Sequence, residues 1–343
     1  MARYIRYSML TIFSAIVLLI LFFVVTEYRP KPHENILTTS SPTKINADTL
    51  TIVTWNIGYA GLGKEMDFFF DGGKKVRDTK DATEKNLKAI KQRLQEFDVD
   101  FIILQEIDKC SKRSHKIDQV SSIEAALPRF NSNFCLNYNS IFVPTPTFEP
   151  YGKVVSGLMT LSTEAPQSAT RISLGSKYPW PRRLFMPKRA MLETRFLLAS
   201  GKELVLLNTH CEAFDSGNLR RVEMKTIRAK VQAEYAKGNV VIVGGDWNQN
   251  PPGVSTPTTK DFNPIQIAQD YAPVGWSWAY PSEPTNRYLY EPYKQGETLT
   301  TLLDFFLLSP NIKPLSINRI DLGFENSDHN PVIMKFMLYN KAD

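Results

Sequence analysis

The chain is poor in cysteine, with three in 343 residues: Cys110, Cys135 and Cys211. The count is odd and no CxxC pair occurs, which argues against a structural zinc cluster. One bridge, Cys110 to Cys135 for example, would suit an oxidising compartment. Cys211 follows His210, yet nothing marks it as a nucleophile. Dense basic runs are missing, so no nucleic-acid patch stands out. Lys and Arg (41) nevertheless exceed Asp and Glu (35), for a formal charge of +6. That excess either favours anionic partners such as phosphate polymers or lipid headgroups, or serves solubility alone. There is no internal repeat and no low-complexity segment. With 43% hydrophobic and 22% charged residues, global disorder is excluded.

The first feature present is a long apolar run. Residues Met9 to Val25 form 17 positions without a charge, preceded by Arg3 and Arg6. As a helix this run spans about 26 Å, enough for a hydrocarbon core. A cleaved signal peptide is the rival reading and would give a secreted form. The run ends Phe22-Phe23-Val24-Val25-Thr26-Glu27 without a small-x-small site, so an uncleaved anchor is expected. Arg3 and Arg6 then keep the N-terminus cytoplasmic, and the body lies across the membrane as a single-pass, extracytoplasmic domain. Arg29 and Lys31 soften that asymmetry. The expected division is an anchor over 1–27, a Pro-, Ser- and Thr-containing extended linker over 28–48, and one body over 49–340.

Along the body, apolar periodicity predicts strands at 51–55, 100–105, 136–143, 154–162, 239–243, 302–308 and 332–338. It also predicts a hairpin of 191–198 with 203–208 around Ser200-Gly201. Helices are expected over 84–97, 117–126 and 219–235. The mixture suggests an α/β sandwich of mixed sheets with helices outside. Residues 249–300, rich in Pro, Trp and Tyr, are expected as long loops at a binding mouth.

Polar residues close one apolar strand after another. Asn56 follows Ile-Val-Thr-Trp, and Glu106 follows Phe-Ile-Ile-Leu-Gln. Asn208 and His210 follow Leu-Val-Leu-Leu. Asp246 and Asn248 follow Val-Val-Ile-Val-Gly-Gly, while Asp328 and His329 precede Asn330-Pro-Val-Ile-Met. Neighbouring strands end on one rim, so these groups can share a cleft. Singly, the asparagines read as turn residues, the acids as caps or surface groups, and His210 as a structural histidine. Asp304 differs, because one acid within Leu302-Leu-Asp-Phe-Phe-Leu-Leu308 needs a buried partner, and a cationic His is the obvious one. Oxygen donors with few thiols suit a hard cation, Mg²⁺ first, then Mn²⁺ or Ca²⁺. The matching reaction is attack of water on phosphorus.

Six segments in order resemble the endonuclease/exonuclease/phosphatase superfamily: Thr54-Trp-Asn-Ile, Leu104-Gln-Glu-Ile, Asn208-Thr-His, Gly245-Asp-Trp-Asn, Leu303-Asp-Phe-Phe-Leu and Ser327-Asp-His-Asn-Pro-Val. The superfamily includes DNase I-like nucleases, inositol-polyphosphate 5-phosphatases and neutral sphingomyelinases. The resemblance implies a four-layered α/β sandwich over 49–340, with two mixed sheets flanked by helices and the site at one rim.

It also implies roles for particular residues. Asn56 and Glu106 bind the metal, with Asp328 close by. Asp246 orients or deprotonates the attacking water beside Asn248. His210 contacts phosphate or the leaving group. His329 stabilises the phosphoryl oxygens, and Asp304 holds its imidazole. Asn208 and Lys153, the latter in Gly152-Lys-Val-Val-Ser-Gly157, are expected at the substrate. Trp247 stands where Phe is commoner, and no clear 5-phosphatase signature surrounds Asp246.

Two substrate classes follow. One is a lipid headgroup, favoured by the anchor and by exposed aromatics at Phe68–Phe70, Trp276 and Trp278 that would reach an interface. The bland reading of the Phe triplet is core. The other is nucleic acid, favoured by the positive charge. No obligate protein partner is evident. An inactive binding module is the third reading, opposed by the intact set of six segments.

Overall fold

The computed structural model describes residues 1–38, 40–215, 217–257 and 264–339. The expected domain end at 340 lies outside them, as do residues 258–263 of the expected loop region. The chain opens with helix α1 (Ala2–Thr26), strands β1 (His33–Ile36), β2 (Lys44–Ile45) and β3 (Thr49–Asn56), then helix α2 (Lys80–Glu96) and β4 (Phe101–Asp108). Next come α3 (Gln119–Ala126), β5 (Asn131–Val143), β6 (Gly152–Ser162), β7 (Ser168–Ser173), β8 (Ala190–Leu198), β9 (Glu203–His210) and α4 (Asn218–Ala236). The chain then forms β10 (Val240–Asp246), β11 (Ser277–Ala279), β12 (Asn286–Arg287), β13 (Thr300–Thr301), β14 (Asp304–Leu308), β15 (Ile312–Arg319) and β16 (Val332–Leu338).

Two mixed sheets result. One runs β1-β7-β8-β9-β10-β14-β11, with β2 against β8, and the other runs β15-β16-β3-β4-β6-β5. Period-two alternation explains the layering. Ile52, Phe101, Ile103, Leu204, Leu206 and Ile242 meet between the sheets in one core. Their neighbours Val53, Trp55, Ile102 and Leu104 face outward to Leu87, Ile90 and Leu94 of α2. On the other side Val205, Leu207, Val241 and Val243 pack on Met224, Ile227 and Val231 of α4. The order helix, sheet, sheet, helix is the expected four-layered α/β sandwich. Thr79 caps α2 by accepting from the Ala82 amide, which is why the helix begins one turn earlier than the apolar spacing alone suggests.

The segment expected as an extended linker is built into the sandwich. β1 pairs antiparallel with β7, and β2 pairs parallel with β8. Backbone pairing to an open sheet edge asks little of the side chains, so composition does not announce it. The cysteines are all free, Cys110 exposed and Cys135 and Cys211 buried, so the Cys110–Cys135 bridge does not form. Trp276 and Trp278 are also not at a membrane-type surface. Both pack against the α4-side core, Trp278 edge-on to Trp247 and Trp276 edge-on to Tyr235.

Candidate active site

The register places the strand ends on one rim. Asp246 is paired with His210 on one side and Asp304 on the other, and Val332 lies opposite Thr54. Two backbone features aim the side chains. A bulge between Leu104 and Ile107 leaves Glu106 at φ +54°, and Asn248 sits at φ +48°. Left-handed backbone in non-glycine residues costs about 1–3 kcal/mol and concentrates at functional sites. Gly245, at φ +138°, lies where any Cβ would strike the Thr209 carbonyl, so β9 and β10 can pair only with glycine there.

Asp246 is the hub. Asn56 Nδ2 donates to its Oδ2 at 2.9 Å, and the Asn248 amide donates to its Oδ1 at 2.8 Å. His210 Nε2 and His329 Nε2 lie 3.6 and 3.7 Å from the same Oδ2. Glu106 Oε1 is 3.9 Å from His210 Nε2, and Asp328 Oδ2 is 3.8 Å from His329 Nε2. His329 Nδ1 meets Asp304 Oδ2 at 2.7 Å, and Asp304 is fully buried. The 327–329 turn is fastened to β3, since Ser327 Oγ donates to the Asn56 carbonyl and Trp55 Nε1 to the His329 carbonyl.

Burial by itself would drive a proton off His329, but Asp304, Asp328 and Asp246 outweigh it and push the imidazole up to about 10. The ring is therefore a cation at neutral pH. His210 is pushed well below its ordinary value by burial, with Arg189, His329 and Arg113 adding to the effect, so it is neutral. Burial pushes Asp246 up to about 6 and Asp328 up to about 7.

Three carboxylates, Asp246, Asp304 and Asp328, thus surround one imidazolium, and a fourth, Glu106, lies beside the neutral His210. Arg113 reaches Glu106 at 3.7 Å but is spent on a two-pronged bond to Asp108. The remaining negative excess and the all-oxygen donor set fit a hard divalent cation.

The structure brings Asn56, Glu106, His210, Asp246, Asn248, Asp304, Asp328 and His329 together at this rim, and places Asn208 and Lys153 apart from it. Asn208 is fully buried between the sheets. Its Nδ2 donates to the Leu104 and Met159 carbonyls, and its Oδ1 accepts from Gln105 Nε2, so no polar atom is left for substrate. Lys153 is exposed and does not line the cleft, because the β6 pleat turns it to solvent. Asn56 also differs from expectation in detail. The Gly58 amide occupies its Oδ1, and its Nδ2 faces Glu106 and Asp246.

Several cleft residues gave no signal. Thr285 Oγ1 donates to Asp304 Oδ2 at 2.6 Å, and the Asn286 amide lies 2.9 Å from His329 Nε2. Both come from the aromatic-rich 249–300 region. Arg113 lies 3.8 Å over the Tyr59 ring, and Arg189 Nε donates to Glu212. A cleft of about 980 Å³ opens above this floor, lined also by Phe70, Tyr151, Phe185 and Phe214.

The layered sandwich and this rim define a phosphoester hydrolase of DNase I-like architecture. The profile of the Endonuclease/Exonuclease/phosphatase family matches residues 53–329, and the chain belongs to that family. Its fold is similar to that of an endonuclease/exonuclease/phosphatase from Beutenbergia cavernae DSM 12333 (TM-score 0.58, 17% identity, 86% of this chain and 72% of that one). It is also similar to ANGEL2, a 2',3'-cyclic phosphatase solved with adenosine-2',3'-vanadate (TM-score 0.56, 14% identity, 89% and 100%). A third similar fold is that of D. rerio TDP2, solved with a single-strand DNA product (TM-score 0.51, 15% identity, 84% and 99%). No curated protein sequence matches the chain.

Proposed function

We propose that the chain is a membrane-anchored, divalent-metal-dependent phosphodiesterase whose catalytic domain lies outside the cytoplasm. The observation that carries the reading is the convergence of Asn56, His210 and His329 on one oxygen of Asp246, with Glu106 and Asp328 on either side. Membrane anchoring is supported by α1, a helix long and apolar enough to cross a bilayer and exposed along its apolar length.

Glu106 and Asp328 would hold Mg²⁺ or a similar ion, and Asn56 orients Glu106 and Asp246. When bound, the ion neutralises charge on the phosphate and lowers the barrier to attack on phosphorus. Asp246 Oδ2, kept in place by Asn56 and the Asn248 amide, aligns the attacking water and accepts its proton. His329, charged and held by Asp304, stabilises negative charge building on the phosphoryl oxygens. Neutral His210 donates a hydrogen bond to phosphate or to the leaving oxygen. Asp304 in turn is oriented by Thr285.

A lipid headgroup is the substrate class favoured by the anchor. An exported nuclease is the second reading, favoured by the chain's net positive charge and by arginines 189, 220 and 287 along the cleft. The test is to assay the full-length protein in detergent micelles with Mg²⁺ or Mn²⁺. Plasmid DNA, sphingomyelin vesicles, an inositol polyphosphate and a chromogenic phosphodiester are the substrates. Activity should vanish with chelator and with His329→Ala; activity surviving both refutes the mechanism.

A further inference from the structure

The C-terminal end of α1 does not hang free of the catalytic domain. Phe23, in its last turn, packs edge-on to Phe185 with ring centroids 5.0 Å apart and stacks on Phe142 at 6.5 Å. Just beyond the helix, the Glu27 side chain is only 5% exposed and is surrounded by cations: Lys188 Nζ at 3.0 Å, Arg29 Nε at 3.1 Å and Arg183 Nε at 3.6 Å. Residues that grip the helix end belong to the same short segment that walls the cleft, since Phe185, Met186, Pro187 and Arg189 line it. Tyr138 Oη ties that segment to β5 through the Phe185 carbonyl.

α1 has 25 residues, or about 37 Å at 1.5 Å per residue, longer than the roughly 30 Å hydrocarbon layer. Its last turn therefore lies at the membrane–water boundary, and Phe142 and Phe185 lie within one ring contact of it. In the connection that follows β5, Phe148 is fully exposed at 102%, and in the segment that carries Phe185, Trp180 is 56% exposed. Isolated aromatics standing out from loops are costly in water and suited to the headgroup zone. Phe185 of the clamp lines the cleft, as do Pro144 and Thr145 at the start of the segment that carries Phe148 and Arg182 two residues after Trp180.

Resting on the reading of α1 as a membrane span, we infer that Phe148 and Trp180 seat in the bilayer that α1 crosses. The cleft mouth is thereby held against that bilayer, and the substrate is a phosphodiester carried by a lipid of the same membrane. The active site is docked on the surface by a helix-end clamp, with no length of tether between them.

The test uses full-length protein reconstituted in phosphatidylcholine vesicles. Brominated phospholipid should quench part of the tryptophan emission, and Trp180→Phe should remove that part. In parallel, hydrolysis of sphingomyelin in the bilayer is compared with hydrolysis of bis(p-nitrophenyl) phosphate in solution. The double variant Phe148→Ser/Trp180→Ser should lower the bilayer rate about tenfold while the solution rate stays within about twofold. Equal quenching in wild type and Trp180→Phe overturns the docking. Equal losses on both substrates, or no loss on either, overturn the lipid-borne substrate. If neither substrate is cleaved but the quenching difference is present, the phosphodiesterase reading falls and the docked face stands.

Discussion

Asn56 Nδ2 donates to Asp246 Oδ2 at 2.9 Å, a bond between residues 190 positions apart that joins the ends of two different sheets. It helps keep the carboxylate ionised while burial pushes it the other way. Replacing Asn56 with Ala should therefore raise the Asp246 pKa further and move the acidic limb of the pH–rate profile to higher pH. A fall in kcat of about a hundredfold should accompany it, as for loss of one preorganised donor. An unmoved acidic limb would show that Asp246 is not the group being titrated.

Asp304 touches His329 rather than the cleft. Asp304→Asn keeps the shape but removes the charge that opposes burial of the imidazolium. The His329 pKa, about 10 in the native chain, should drop. Activity at neutral pH should fall by about 10²–10⁴-fold, with most of the loss in kcat, as when the carboxylate orienting a catalytic imidazole is neutralised. NMR titration of the labelled ring checks the pKa directly, and an unchanged ring titration would contradict the proposed role.

Cation binding should be coupled to protons. Asp328, at about 7, is partly protonated near neutral pH, and a cation held by it requires it ionised; Asp246, at about 6, loses its remaining proton more readily beside that positive charge. Mg²⁺ or Mn²⁺ binding should release protons between about pH 6 and 7, and affinity should weaken as pH falls through that window. Calorimetry in buffers of different ionisation enthalpy measures the release. Binding without proton release would exclude Asp328 as a ligand to the ion.

Asn208→Ala should destabilise without altering the chemistry. The substitution removes the Asn208 donor from the Leu104 and Met159 carbonyls and leaves Gln105 Nε2 with its longer bonds to Thr54 Oγ1 and the Ile103 carbonyl. Unsatisfied buried groups cost about 1–3 kcal/mol each, so a drop in Tm of several degrees is expected. The folded fraction should retain its kcat; loss of activity at full folding would return Asn208 to the substrate.

Acid stability should depend on Glu234. Burial raises its pKa, but Arg195, Lys230 and Lys237 more than offset this and hold it far below the ordinary range. A depressed carboxyl stabilises the fold above its unfolded pKa of about 4.3, and that share is lost as pH falls toward the folded pKa. The Tm gap between wild type and Glu234→Gln should therefore be widest near neutrality and close in acid.

The metal-type acids, both site histidines and Asp304 were legible in the sequence because each interrupts or ends an apolar strand, and strand ends are where sheets expose side chains. Thr285, Asn286, Arg113 and Arg189 were not legible. They lie in loops or, for Asn286, in a two-residue strand too short to show periodicity, and their roles come from what they touch: Asp304, His329, Tyr59 and Glu212. The placement of Asn208 between the sheets was not legible for the same reason, since a buried amide there and an amide facing substrate look identical in a string of residues.

What the sequence by itself determined is the layer order, the apolar membrane-length helix and the rim at which the polar strand ends gather. Each follows from local periodicity, and burial of apolar faces leaves few other arrangements. Only the tertiary structure decided which polar groups are free to meet a ligand. It also decided that β1 and β2 join the sheet and that Glu27 and Phe23 lock α1 to the cleft wall. Those outcomes depend on long-range pairing geometry and on competition among hydrogen-bond partners, which one-dimensional spacing does not encode.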